Sequence, residues 1–354
     1  MNKILLLLLV MLLLYSCSGL SCGNEMKYIL FEGTEKLHGY VIFEKHRDKN
    51  LYYFDLEQNK VFEIPFAKAR MTNGIEASYD FYKDSDKNIM INYVERNNKP
   101  CLQFIELKFS DRLNQELLFT KEVEGIFINK IVDRFKYLHR SNELFYYSYY
   151  DRRADPYAKL VNLDTFRTRE LFIEDAFTPQ LVDFFDNKYL ALGFRGIYFY
   201  DEDKIETIGE NPGIPFIAGL FPVYSAVLRK VLYRNRDNES GEDTIAVFDI
   251  DSMRIINTGI TAMKYNRYDP DNYKFHFFGE HYILYARYKE KASVLTKFLN
   301  PVEYVIYDYM NGKEVGYVKD CQFNAFYDFF PKYQRISRDA EVDVTKLIET
   351  RGQL

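Results

Sequence analysis

From residue 26 onward, short apolar runs rich in Phe, Tyr, Val and Ile alternate with polar turns. Nothing there approaches the ~18 consecutive apolar residues of a membrane span, and no long 3.6-period stripe marks a helix. The period is two, so the predicted elements are strands. One strand–turn–strand unit occurs at 51–64, 102–119, 158–173, 197–208, 245–258 and 304–317. In each, an alternating run reaches an acidic residue, turns and resumes; the acids are Asp55, Glu106, Asp164, Asp201, Asp249 and Asp308. A carboxylate entering a turn can accept backbone N–H groups two residues on. A second unit alternates with the first, at 78–93, 131–149, 181–194, 223–235, 274–287 and 325–337.

From Asp80 to Asp328 the second unit returns about every 50 residues, the spacing of a four-stranded blade. Six units of each kind predict an all-β fold, a six-bladed β-propeller spanning 26–338. The last blade must be completed from both ends of the chain, with the N-terminal hairpin as its outer strands and Gly39–Glu44 available as a further one. Such closure removes open sheet edges. The alternatives are seven blades, with 26–44 and 338–354 as extra strands, or a pair of β-sandwiches. The tail at 339–354 is compatible with a short helix or a frayed strand.

Ahead of the repeats lies a different pattern. Lys3 is followed by an unbroken apolar stretch from Ile4 to Leu14, too short for a spanning helix of about 20 residues. Leu14-Tyr15-Ser16-Cys17 then resembles a bacterial lipobox. That resemblance implies a signal peptide at 1–16, a thioether lipid on Cys17, and a tether at 17–25. Ser18 is not the Asp of inner-membrane retention, which points to an outer-membrane lipoprotein facing the periplasm; surface exposure stays open.

Composition narrows the classes. Aromatics make up 17% of 354 residues, with Tyr 31, Phe 30 and Trp 0, which favours strands and excludes WD repeats. A net charge of −5 argues against general nucleic-acid binding. Beyond Cys17, only Cys22, Cys101 and Cys321 remain, with no CxxC, zinc spacing or disulfide framework. GxSxG, HExxH, GxGxxG and Walker patterns are missing, and His38, His46, His139, His276 and His281 show no paired metal spacing. The sequence therefore leans away from an enzyme without deciding it.

Aligning the second units places Asp80, Asp133, Asp183, Ser225, His276 and Asp328 at one level of the innermost strands. Convergent Asp oxygens suit a hard cation such as Ca²⁺, and equally a basic peptide or amine. The other reading is that each Asp bonds backbone amides and pins its own blade. Mutually crowded carboxylates would raise one another's pKa, whereas backbone-bonded ones would not. No cofactor is expected unless it is Ca²⁺. Candidate loop contacts are Tyr265, Arg267, Tyr268, Asp269 and Asp271, before the sixth inner strand. The acidic run 237–243 lacks EF-hand spacing, Asn211–Pro215 reads as a stiff connector, and Tyr146, Tyr147, Tyr149 and Tyr150 suit blade packing.

A lipobox followed by six aromatic-rich, motif-poor blades is similar to the TolB-like propeller lipoproteins of Gram-negative envelopes. The resemblance covers nearly the whole mature chain and rests on architecture and address. It implies a membrane-tethered module that binds or scaffolds a protein or peptide partner. The alternative is a carbohydrate-active enzyme, or a glycan or small-ligand binder, using carboxylates at the channel mouth.

Overall fold

The computed structural model describes residues 26–45, 50–64, 79–84, 86–96, 99–109, 113–123, 134–148, 157–171, 180–193, 196–201, 205–210, 222–236, 243–261, 275–288, 302–319 and 323–332. Among these residues every regular element is a strand, and the strands form six antiparallel sheets, the blades of a six-bladed β-propeller. After β1 (Lys27–Leu30), blade 1 takes β2 (Tyr40–Lys45), β3 (Leu51–Asp55) and β4 (Lys60–Glu63). Blade 2 holds β5 (Tyr79–Asp84), β6 (Lys87–Arg96), β7 (Lys99–Phe109) and β8 (Leu113–Glu122). Blade 3 holds β9 (Arg134–Leu138), β10 (Glu143–Ser148), β11 (Tyr157–Asn162) and β12 (Thr168–Leu171). Blade 4 is β13 (Gln180–Phe185), β14 (Lys188–Gly193), β15 (Gly196–Tyr200) and β16 (Ile205–Glu210). Blade 5 is β17 (Val223–Ser225), β18 (Lys230–Arg236), β19 (Asp243–Asp249) and β20 (Arg254–Thr261). Blade 6 is β21 (Phe275–Phe277), β22 (Tyr282–Tyr288), β23 (Val302–Asp308) and β24 (Lys313–Lys319). Last comes β25 (Phe323–Phe330), which pairs with β2 and becomes the inner strand of blade 1. The ring is thus closed by strands from both ends of the chain, as the repeat order predicts.

Each blade presses both faces on its neighbours, so its inner strands are buried on both sides; β3 is buried at every position. The core is a set of layers between blades rather than one centre. Flat rings suit such thin layers. Tyr40 of blade 1 stacks on Phe109 of blade 2 at 4.1 Å, and Phe54 of blade 1 meets Phe278 of blade 6 edge-on at 5.8 Å. This is the packing that the abundant Phe and Tyr supply in the absence of Trp.

Because each blade is an antiparallel meander, two kinds of connection separate in space. The hairpins joining first to second and third to fourth strands share one face, the turn face. The second-to-third and blade-to-blade connections serve the opposite, connection face. Three acids predicted at turns do bond there. Asp55 accepts the Gln58 amide at 2.9 Å, Asp249 the Ser252 amide at 2.9 Å, and Asp308 the Met310 and Asn311 amides at 3.1 and 3.0 Å. Two do not. In blade 3 the turn is held by Asn162, whose Oδ1 accepts the amides of Asp164 and Thr165 at 3.0 and 2.9 Å, while Asp164 faces solvent. Glu106 lies inside β7, paired with Ile89, and the strand continues to Phe109.

The first described segment lies outside the four-stranded pattern of the six blades. β1 does not found a seventh blade; it adds a fifth strand to blade 6 outside β24, with Tyr28 opposite Val318 and Leu30 opposite Gly316. It also reaches blade 1. The Asn59 side chain accepts the Tyr28 amide at 2.8 Å and donates to the Tyr28 carbonyl at 2.9 Å, imitating a strand partner. The Tyr28 hydroxyl donates to the Leu56 carbonyl at 2.5 Å. β1 therefore staples the last blade to the closing one. Gly316 makes this possible, since a Cβ there would stand 2.3 Å from the Ile29 carbonyl oxygen. Gly316→Val is expected to release β1, speeding hydrogen exchange at residues 27–31 by roughly tenfold or more while the amides of β23 stay protected. Unchanged exchange at 27–31 would contradict the strap.

Candidate functional site

The structure places five of the six aligned residues on the innermost strand of their blades. Asp80 lies on β5, Asp183 on β13, Ser225 on β17, His276 on β21 and Asp328 on β25, and all five are buried. Asp133 lies outside the described residues, as do Cys17, Tyr265, Arg267, Tyr268, Asp269 and Asp271. The three carboxylates share a local bond: Oδ1 accepts the next residue's amide, from Phe81, Phe184 and Phe329, at 2.8 Å each. The phenylalanine that follows points to the opposite side of the strand, into the packing between blades.

Their remaining bonds leave the blade. Asp80 accepts the Tyr137 amide at 2.7 Å and the Lys136 ammonium at 2.5 Å, both from β9 of blade 3. Asp183 Oδ2 accepts the Tyr224 hydroxyl and an Arg229 guanidinium nitrogen, each at 2.8 Å. Arg229 continues to Asp251 through Nε at 2.6 Å. Asp328 accepts the Ser225 hydroxyl at 2.5 Å and the Ala226 amide at 3.0 Å. This last contact skips a blade, joining blade 5 to blade 1 past blade 6.

The hub is the β17–β18 turn. Ser225 also accepts the Leu228 amide at 3.1 Å, which fixes the turn. Ala226 packs with the core between blades 2 and 3, Val227 with that between blades 1 and 2, and Leu228 with the layer spanning blades 5, 6 and 1. One four-residue turn thus packs into three inter-blade layers and touches most of the ring. Sequence reasoning named Ser225 but missed Tyr224, Arg229 and Lys136. Their partners come from other blades, and no spacing along the chain announces them.

The electrostatics follow from this packing. Burial raises the Asp328 carboxyl to about 6, against the lowering effects of the Ser225 hydroxyl, Lys136 and two amides. No other carboxylate contributes to that rise. Burial, then Asp183, holds the Tyr224 phenol well above its usual range, so it stays a donor. The Lys136 ammonium sits 5.6 Å from the centre of the Tyr224 ring. His276 bonds the Phe277 carbonyl through Nδ1 at 2.9 Å and stacks on Phe326 at 4.8 Å. A carbonyl only accepts, so the proton is on Nδ1 and Nε2 is a bare acceptor, without a partner among the described residues. Burial lowers the His276 pKa to about 4, leaving the ring neutral.

This arrangement joins blades through internal ion pairs and amides. Among the described residues, no group of three or more His, Cys, Asp or Glu side chains has the geometry to hold a metal ion. A further inter-blade tie lies off the axis. Glu143 of blade 3 accepts Arg169 at 2.9 Å and the hydroxyl of Tyr189, from blade 4, at 2.7 Å. Cys101 is buried, its thiol donating to the Lys99 carbonyl at 3.6 Å, and Cys22 and Cys321 lie outside the described residues.

The chain matches no protein-family model and no curated protein. Solved structures align with it at low identity. Puromycin hydrolase shares 10% identity over 87% of this chain and 48% of its own, with a TM-score of 0.41, so this chain spans about half that protein's length. An oligogalacturonate lyase in complex with manganese shares 10% identity over 82% of this chain and 83% of its own, TM-score 0.41. The β-propeller domain of the Trilobed protease from Pyrococcus furiosus shares 11% identity over 80% and 83%, TM-score 0.34.

Proposed function

We propose that this chain is a TolB-like envelope lipoprotein, tethered through Cys17, whose propeller binds a protein or peptide on its connection face. The observation that supports this most is the use made of the axial polar residues. Asp80, Asp183 and Asp328 are bonded to donors of the chain itself, and the β17–β18 turn packs into three inter-blade layers. A glycan hydrolase would need two carboxylates free to move protons or attack. Recognition then falls to the opposite face. The strand ends that open on that face are separated by the longest stretches of sequence between described strands, among them 65–78, 262–274 and 289–301. Long connections on a rigid scaffold are where binding residues concentrate. The segment 262–274 carries Tyr265, Arg267, Tyr268, Asp269 and Asp271, a contact-prone set.

Capture from detergent-solubilised envelopes tests this, using wild type beside Arg267→Glu/Tyr268→Ala and a turn-face control, Arg140→Glu. A stoichiometric partner should be kept by the control and lost, by about tenfold or more, in the loop variant. A partner lost only in the control would place recognition on the turn face and sink the proposal.

A further inference from the structure

The ring closes without β1. Blade 1 is completed by β25 on β2, and blade 6 already has four strands, β21 to β24. What β1 fills is a groove at the seam of those two blades. One wall is the outer edge of β24, which pairs from Gly316 to Lys319 and lacks a Cβ at Gly316, where Ile29 and Leu30 pass. The other wall is the β3–β4 turn. Its Asn59 side chain bonds the Tyr28 amide and carbonyl, groups that every residue but proline carries. Beside Asn59 lies a pocket for a phenol. The Tyr28 ring meets Phe54 at 5.8 Å, and its hydroxyl donates to the Leu56 carbonyl. The groove therefore holds an extended segment by its main chain and favours tyrosine at one position, the logic of strand addition.

A thin connection keeps the occupant on its own chain. From Phe31 to Lys36 no residue is buried, and the chain enters the core again only at Leu37. Phe31 to Thr34 is a turn, closed by the Thr34 amide on the Phe31 carbonyl at 3.1 Å. Gly33 has φ 79°, and nothing lies within 4 Å of the place a Cβ would take. Two bonds to the Val315 carbonyl hold this segment down, from the Phe31 amide at 2.8 Å and the Thr34 hydroxyl at 3.4 Å. Such a turn straightens without pulling a side chain out of the core.

We propose that two copies of this chain exchange β1, each seating residues 26–30 in the groove between β24 and Asn59 of the other. A second copy is the occupant because it carries the segment that the groove already fits, with Tyr28 for the pocket and Ile29 and Leu30 against Gly316. Exchange keeps the contacts of the strap and changes only which chain supplies them, a low-cost route to a dimer. Straightened, residues 31–36 span at most about 20 Å, so the two seams of blades 6 and 1 lie side by side. The inference is independent of lipidation and of partner binding.

A cysteine trap tests this in the full chain with its four native cysteines replaced by Ala. Ile29 and Tyr317 face each other in the register of β1 on β24. Oxidation of Ile29→Cys/Tyr317→Cys should give a covalent dimer whose share grows with protein concentration. Only an internally bridged monomer, at every concentration, overturns the proposal. Dividing the trap checks that the strand itself is exchanged. Gly316→Val closes the groove and leaves β1 intact; Tyr28→Ala spoils β1 and leaves the groove intact. Ile29→Cys/Gly316→Val mixed with Tyr28→Ala/Tyr317→Cys should give at least roughly tenfold more covalent dimer than either alone. Equal yields overturn the exchange. A second measurement needs no cysteine. Residues 27–31 of Gly316→Val, told apart from the other copy by the mass of Tyr28, should exchange hydrogen at least roughly tenfold more slowly once Tyr28→Ala is added. No slowing would mean that β1 docks only on its own chain, and the proposal fails.

Discussion

Replacing Arg229 with methionine is expected to destabilise the protein by about 3–5 kcal/mol. The guanidinium is largely enclosed and bonds Asp183 and Asp251 at 2.8 and 2.6 Å. Methionine keeps the aliphatic stem but leaves Asp183, 2% exposed, with the Tyr224 hydroxyl and one amide as its partners among the described residues. A buried carboxylate stripped of its counter-ion costs far more than the intact pair contributes, because its desolvation is no longer offset. The single substitution cannot by itself apportion that cost. Asp183→Asn removes the orphaned charge, so Asp183→Asn/Arg229→Met is expected to recover at least about 1 kcal/mol of the loss, a coupling a double-mutant cycle in urea would measure. Additive effects would mean that Arg229 acts through packing alone. The cycle bears on function as well. An Asp whose loss lowers stability is a structural pin, whereas a binding Asp would lose affinity with the fold intact.

Asp328 is expected to make stability fall as pH rises from about 4 to about 6. Its carboxyl sits near 6 in the folded protein against 3.8 as the ordinary value, raised by burial. In that window the folded state binds more protons than the unfolded one, so the contribution is fully present below pH 4 and lost through pH 6. A difference of about two units amounts to roughly 3 kcal/mol. Other carboxylates titrate nearby, so the effect is read as a difference. Wild type is expected to gain about that much relative to Asp328→Asn between pH 7 and pH 4, from urea midpoints. The ionised form is still tolerated at neutral pH because the Ser225 hydroxyl and the Ala226 and Phe329 amides all donate to it. A pH-independent difference would show that those donors and Lys136 hold the carboxyl at its ordinary value.

Much of the architecture was legible along the chain because a propeller repeats a local pattern. Period-two alternation, polar turns and a spacing of about 50 residues depend on near neighbours only. They located both hairpins of each blade and the need for both chain ends in the last one. The level of Asp80, Asp183, Ser225, His276 and Asp328 was legible for the same reason, each occupying one place in its repeat. Turn chemistry was less secure where two polar residues competed. In blade 3 Asn162 took the role assigned to Asp164, since its side chain reaches the amides two and three residues ahead. β7 ran past Glu106 because pairing with β6 and β8 outweighed the local signal.

By itself the sequence determined that the chain is all-β, that it is built of six paired hairpins, and that Asp80, Asp183, Ser225, His276 and Asp328 share a place on the innermost strands. Those follow from side-chain alternation and repetition, which act over a few residues. Only the tertiary structure decided what the axial residues bond to. Lys136 meets Asp80, Arg229 meets Asp183, and Ser225 meets Asp328 across 56, 46 and 103 residues of chain. Such pairings exist only once the ring has closed and brought the blades face to face. The place of β1 was decided the same way, since a four-residue strand carries no mark of its partner until Gly316 and Asn59 are positioned to receive it.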